Sequence, residues 1–149
     1  AKFIKYSSIR EKSYRDSATK LGKKVLLFEG GKSLDLDRDV TRCGVTGALN
    51  IFDALGVKKF PKDFEPFIEH SEQVIFDKSK WIRAHHSGMY RSTVRNGSEI
   101  KKGDIIGTIT DPFGFFERKL KANCSGYIIC LNHSPIVNKG DAIAHIAIV

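Results

Sequence analysis

The chain has 149 residues, 41% of them hydrophobic, and a formal net charge of +8, which bounds it at one or two globular domains with a real core. No apolar stretch is long enough for a bilayer-spanning helix and the start lacks a signal-peptide pattern, so a membrane partner is excluded and a cytoplasmic location expected. The positive charge is scattered in small knots, at Lys20, Lys23 and Lys24, at Lys58, Lys59 and Lys62, and at Lys101 and Lys102, with no aromatic interleaving, which argues against a nucleic-acid partner.

In chain order, Ser8 followed by Glu11 fits a capping box, opening a helix over about residues 9–21 that Gly22 is placed to end. Val25-Leu26-Leu27-Phe28 is a short continuous apolar run, which predicts a strand covered on both sides in a parallel or mixed sheet. Glu29-Gly30-Gly31 follows: a carboxylate at the carboxyl end of a buried strand, facing a flexible pair, where α/β sheets collect their sites. Asp35, Asp37 and Asp39 lack the Gly turn and terminal Glu of a calcium loop and read instead as the acidic start of a helix over about 38–55. Val40, Cys43, Gly47, Ile51 and Ala54 form its inward face, Gly44 and Gly47 permit close packing on the sheet, and Gly56 ends it. Residues 61–72, with Pro61, Pro66, Phe64 and Phe67, are too apolar for a free linker and read as an ordered crossing between two units. Strands resume at 74–76, 81–84 and 88–94.

The tail contains a phrase twice: Lys102-Gly103-Asp104-Ile105-Ile106-Gly107-Thr108-Ile109 and Lys139-Gly140-Asp141-Ala142-Ile143-Ala144-His145-Ile146. Each reads as a Gly-centred turn leading into a strand, and neither half can bury its apolar face alone, so the halves are expected to pack together. Asp111-Pro112-Phe113-Gly114 is a turn between them, and residues 127–131 are a further strand. The fold class expected is α+β: a fragment of a mixed α/β catalytic domain over 1–60, then an all-β small barrel or sandwich over 61–149. Two helices and one strand hardly make a covered sheet, so the first piece requires homo-oligomerisation or further strands preceding Ala1, the second being favoured.

Candidate chemistry is sparse. The histidines are His70, His85, His86, His133 and His145, with no H-x-x-E or H-E-x-x-H pair, so no metal site is expected from this chain's own residues. Adjacent His85 and His86 point opposite ways if they lie on a strand, and His145 is placed at an edge or surface of the last strand. No G-x-S-x-G occurs, and Cys43, Cys124 and Cys130, which cannot all pair and lack C-x-x-C spacing, read as reduced, mostly buried thiols. Arg10, Arg15, Arg83 and Arg91 are each able to hold a carboxylate bidentately.

Taken together, Ser8-Ile9-Arg10, Gly22, Val25 through Gly31, Gly44-Val45-Thr46-Gly47, Trp81-Ile82-Arg83-Ala84, Gly88, Gly97, Lys102-Gly103-Asp104, Gly107, Asp111 through Gly114, Ala122, Gly126, Pro135 and Gly140-Asp141 resemble the C-terminal part of the succinylglutamate desuccinylase/aspartoacylase family. These are relatives of the zinc carboxypeptidases. The resemblance implies a zinc-dependent amidohydrolase in the full-length protein, acting on an N-acyl amino acid or similar small amide. Its zinc ligands, a His-x-x-Glu pair and a later His, would lie before Ala1 in a missing N-terminal catalytic segment, so this segment alone is expected to bind no zinc and to be inactive. The family's catalytic glutamate matches Glu29, which would take a proton from the zinc-bound water and pass it to the leaving amine. The resemblance also implies a β domain over the cleft, with the loops at His85, His86 and 113–119 and with Arg10 facing substrate. The β unit is similar as well to the biotinyl/lipoyl hammerhead, although Lys119 lacks the Met-Lys hairpin of those carriers, which disfavours a swinging arm. The alternative is a non-catalytic protein-interaction module with a hammerhead-like β core.

Overall fold

A computed structural model describes residues 2–57 and 72–149. The crossing segment, with its prolines and phenylalanines, His70 and the knot at Lys58, Lys59 and Lys62, lies outside the described residues. The chain forms two compact units, one from Ser8–Glu72 and one from Lys2–Ser7 together with Gln73–Val149.

The described residues of the first unit include two helices, α1 (Tyr14–Lys20) and α2 (Arg38–Ala54). Helix α1 starts later than the Ser8/Glu11 pattern predicts. A left-handed Lys12, φ 61°, precedes the cap, and Ser13 Oγ accepts the Asp16 amide at 3.2 Å. Asp16 in turn accepts from the Lys12 amide at 2.9 Å and the Lys20 ammonium at 2.9 Å, and these donors hold its carboxyl below the ordinary range, Lys20 most strongly. For α2 the acidic start is as expected: Asp37 Oδ1 accepts the amides of Asp39 and Val40, both at 3.0 Å.

The predicted strand over Val25 to Phe28 is absent, because no strand pairs with it among the described residues. An apolar run becomes a strand only when a ladder neighbour takes its backbone groups. Leu26 is 83% exposed and Leu27 61%. The expected inward face of α2 is likewise largely uncovered, with Gly47, Ile51 and Ala54 exposed. A methyl group placed on Gly47 meets nothing within 4 Å. Gly47→Ala is therefore expected to stabilise the chain by about 0.5–1 kcal/mol, read as a raised melting temperature.

The second unit is all β. A short parallel pair joins β1 (Phe3–Lys5) to β2 (Val74–Phe76). The remaining strands are β3 (Lys78–Arg83), β4 (Gly88–Ser92), β5 (Glu99–Ile100), β6 (Ile105–Thr110), β7 (Glu117–Lys121), β8 (Gly126–Leu131), β9 (Ile136–Val137) and β10 (Ala142–Ile148). They form two antiparallel four-stranded sheets, ordered β3-β10-β8-β5 and β7-β6-β4-β9. Both orders end in free edges, so no sheet among the described residues closes on itself. This overturns the small-barrel, hammerhead-like expectation. Paired apolar strands from a repeat require a shared core, and two open sheets supply one as well as a closed barrel does.

The repeat is visible in detail. Asp104 Oδ2 accepts the Lys101 amide at 2.8 Å and Asp141 Oδ2 accepts the Asn138 amide at 2.7 Å, closing matching turns in which Gly103 and Gly140 both have φ 98°. Each copy then supplies an inner strand, β6 in one sheet and β10 in the other. The short strand leading into each copy lies in the opposite sheet: β5 with the sheet of β10, β9 with the sheet of β6. The halves are thus interleaved, and Ile106, Ile109, Val137, Ile128, Ile143 and Ile146 fill one common core.

Tyr90 also enters this core. Its hydroxyl is buried without a hydrogen-bond partner among the described residues. Burial pushes the phenol pKa up from its ordinary value, and the neighbouring Ser92 hydroxyl offsets only part of that. A raised folded-state pKa leaves the stability contribution intact below about pH 10, the unfolded phenol's pKa, and removes it as pH rises through the folded value. Tyr90→Phe is therefore expected to melt at the same or a slightly higher temperature at pH 7, a gain of about 0–1 kcal/mol, and to lose this alkaline sensitivity. Parallel melts at neutral and alkaline pH check both.

Candidate active-site segments

Within the first unit, Glu29 stands exposed at the end of the apolar run. Its position is set by the residue before it. A methyl on Gly44 of α2 would lie 3.1 Å from Cε1 of Phe28, and one on Gly30 would lie 2.6 Å from Cγ1 of Val40. Bare glycines thus let this segment lie directly on α2, with Phe28 across Gly44. The sheet on which Gly44 and Gly47 are expected to pack does not form here: Gly44 instead lies close to Phe28, and nothing approaches Gly47. Gly31, φ 86°, then takes the left-handed conformation that glycine allows. An exposed carboxylate on an anchored segment has lone pairs free to accept a proton from water. Arg10, also exposed, precedes α1, and its carbonyl accepts the Ser13 amide at 3.3 Å. It makes no hydrogen bond or ion pair to Glu29 among the described residues.

Within the second unit, His85 and His86 lie beyond the end of β3, in the loop to β4, so the opposed orientation of strand neighbours does not apply. That loop is pinned. The Ala84 amide donates to the Asp141 carbonyl at 2.9 Å, and the Gly140 amide donates to the Ala84 carbonyl at 2.8 Å. The Lys139 amide donates to Ser87 Oγ at 2.9 Å. His86 faces the Phe116 ring, 6.3 Å between centroids, and the Arg118 guanidinium lies 5.8 Å from that same ring. Asp111 Oδ1 accepts the Phe116 amide at 3.1 Å, holding the β6–β7 turn that carries exposed Phe113 and Phe115. The two loops singled out from sequence are therefore adjacent. Ser87 escaped notice because its partner is remote in sequence, and nothing local signals that contact.

Among the described residues, no group of three or more His, Cys, Asp or Glu is placed to hold a metal ion. No described helix is long and apolar enough to cross a membrane.

No protein-family model and no curated protein matches the chain. Solved structures do. The apo structure of the ectoine utilization protein EutE (DoeB) from Ruegeria pomeroyi superposes with a TM-score of 0.81 over 100% of this chain and 47% of its own, at 16% identity. A succinylglutamate desuccinylase from Silicibacter sp. TM1040 gives 0.77 over 99% of this chain and 46% of its own, also at 16% identity. The fold is that of the succinylglutamate desuccinylase/aspartoacylase family. A succinylglutamate desuccinylase/aspartoacylase from Rhodobacter sphaeroides agrees more loosely, with a TM-score of 0.62 over 75% of this chain and 36% of its own at 19% identity. At such identities the desuccinylase/aspartoacylase likeness is one of fold. The chain spans about half the length of the first structures it matches.

Proposed function

We propose that this chain is the C-terminal part of a hydrolase that cleaves the amide bond of an N-acyl amino acid or similar small substrate. In this reading Glu29 takes a proton from the attacking water and returns it to the departing amine. The observation that carries the reading is the desuccinylase/aspartoacylase fold along the whole chain, at about half the length of its structural relatives. The exposed run over residues 25–28, which no strand among the described residues pairs with, supports it, as does the exposed part of α2, because both are apolar surfaces open to further strands or helices. Arg10, His85 and His86 face the substrate. The zinc of such an enzyme belongs to residues outside this chain, whose own described residues do not form a site for it. This segment by itself is silent. Cys43, Cys124 and Cys130, none of them in a disulfide, fit a reducing, cytoplasmic setting.

The test is hydrolysis of a panel of N-acyl amino acids by the full-length protein, with Glu29→Gln beside it and metal content measured in both. Hydrolysis by the wild type, lost in a variant of unchanged fold and metal content, supports the reading. No hydrolysis at all overturns it in favour of a protein-interaction module, for which the exposed rings of Phe113 and Phe115 provide a surface.

A further inference from the structure

The outer face of the β3-β10-β8-β5 sheet carries a row of chemistry that the proposed hydrolysis does not use. The antiparallel register places His145 opposite Trp81 on β3 and opposite Cys130 on β8. The neighbouring row, Ile82, Ala144 and Leu131, is buried, so Trp81, His145 and Cys130 share the opposite face. Of the edge or surface position expected for His145, the edge is ruled out, since β10 is an inner strand; the imidazole lies half-buried on the sheet's outer face. It stacks on the Trp81 indole with centroids 4.1 Å apart and planes within 11°. Cys130, expected to be buried, is exposed, whereas Cys43 and Cys124 are half-buried.

We infer that Cys130 and His145 form a thiol–imidazole pair that makes Cys130 the chain's site of thiol–disulfide exchange with small disulfides. The β10–β8 register shifts immediately after this pair, between His145 and Ile146; directly opposed residues of a regular antiparallel pair have Cβ atoms about 4.5–5.5 Å apart, close enough for a thiol to pass its proton to an imidazole. An indole face against the ring favours the imidazolium, and the imidazolium favours the thiolate. The next row of the same face holds Ser79, Ala147, Tyr127 and, on β5, Glu99. From β1 and the residue before it come cations: Lys5 donates to Ser79 Oγ, and Lys2 lies over the Phe3 and Tyr127 rings. Arg83, at the end of β3, donates to the Gly140 carbonyl. Glu99, the carboxylate of these strands, lies opposite Tyr127 in the register.

In the exchange, the Cys130 thiolate attacks one sulfur of the small disulfide. A new S–S bond forms, the old one breaks, and the second half leaves as a thiolate that takes up the proton held by His145. No further oxidant is needed, since the disulfide is itself reduced by that one half.

The test uses the whole chain and oxidised glutathione, with the modified peptide identified by mass spectrometry and rates followed against pH. Modification falls first on Cys130. Its rate profile levels off one to two pH units below about 8.5, the ordinary thiol value, and the rate at pH 7 exceeds that of an unassisted thiol by about threefold, since a more acidic thiolate is also a weaker nucleophile. His145→Gln returns the inflection to about 8.5. A second readout survives if that variant folds poorly. Trp81 is the chain's single tryptophan, so its fluorescence reports the protonation of the ring stacked on it. Cys130→Ser removes the thiolate and moves the fluorescence inflection to lower pH. Prior modification of Cys43 or Cys124, an ordinary rate profile for Cys130, or a fluorescence titration indifferent to Cys130→Ser overturns the inference.

Discussion

Glu29→Gln in the full-length protein is expected to lower kcat for amide hydrolysis by about 10²–10⁴-fold, with little change in KM. The substitution keeps the size and hydrogen-bonding reach of the side chain and removes only its capacity to hold a proton. A loss confined to kcat is what a group acting in the transition state produces, whereas a residue that merely binds substrate shifts KM. The side chain is exposed and its segment is anchored through Phe28 against Gly44, so the change disturbs no packing and the melting temperature should not move. Steady-state kinetics on one panel substrate, beside thermal melts of both proteins, provide the check. Full activity in the variant would remove Glu29 from the chemistry.

Gly126→Ala should have the largest effect on folding, a loss of about 4 kcal/mol or outright failure to fold. At φ 145° an L side chain is strained, and a methyl there would come within 1.8 Å of the Ala147 carbonyl oxygen on the neighbouring inner strand. The obstacle is backbone at the centre of a sheet, so it cannot swing aside as a side-chain terminus would. Gly140→Ala is the matched comparison. Its φ of 98° is also left-handed, but nothing lies within 4 Å of the added methyl, so only conformational strain of about 1 kcal/mol is expected. Similar losses at the two positions in chemical denaturation would show that the close approach to Ala147 does not matter.

What sequence disclosed about this chain depended on how local its cause was. The Asp37 cap, the end of α1 at Gly22 and the paired turns at Asp104 and Asp141 are decided by residues a few positions apart, and each was readable. The Ser8/Glu11 pattern misplaces the start of α1, because the left-handed Lys12 that moves the cap to Ser13 leaves no trace in composition. The repeat announced a shared core, yet whether sheets close depends on strand order, and strand order here interleaves β5 and β9 across the repeat. The run at residues 25–28 was read as a strand from hydrophobicity alone, which states what the segment would bury and not whether a neighbour is present. Of the site residues, the nearness of the His86 and Phe116 loops is now visible, while Ser87 and the cross-strand row at His145 required the register.

The parallel pairing of Phe3–Lys5 with Val74–Phe76 has a bearing on how this polypeptide can be divided. The β unit owns a strand that is separated from the rest of it by the whole helical portion, so no single cut separates the two cleanly. A shortened version starting at Gln73 would forfeit the Phe3 ring beside Tyr127, the Lys5 bond to Ser79 and every rung alongside β2. The helical portion is better understood as an excursion looped out of the β unit than as a bead threaded ahead of it. Transplanting the β unit elsewhere would mean carrying both of its ends.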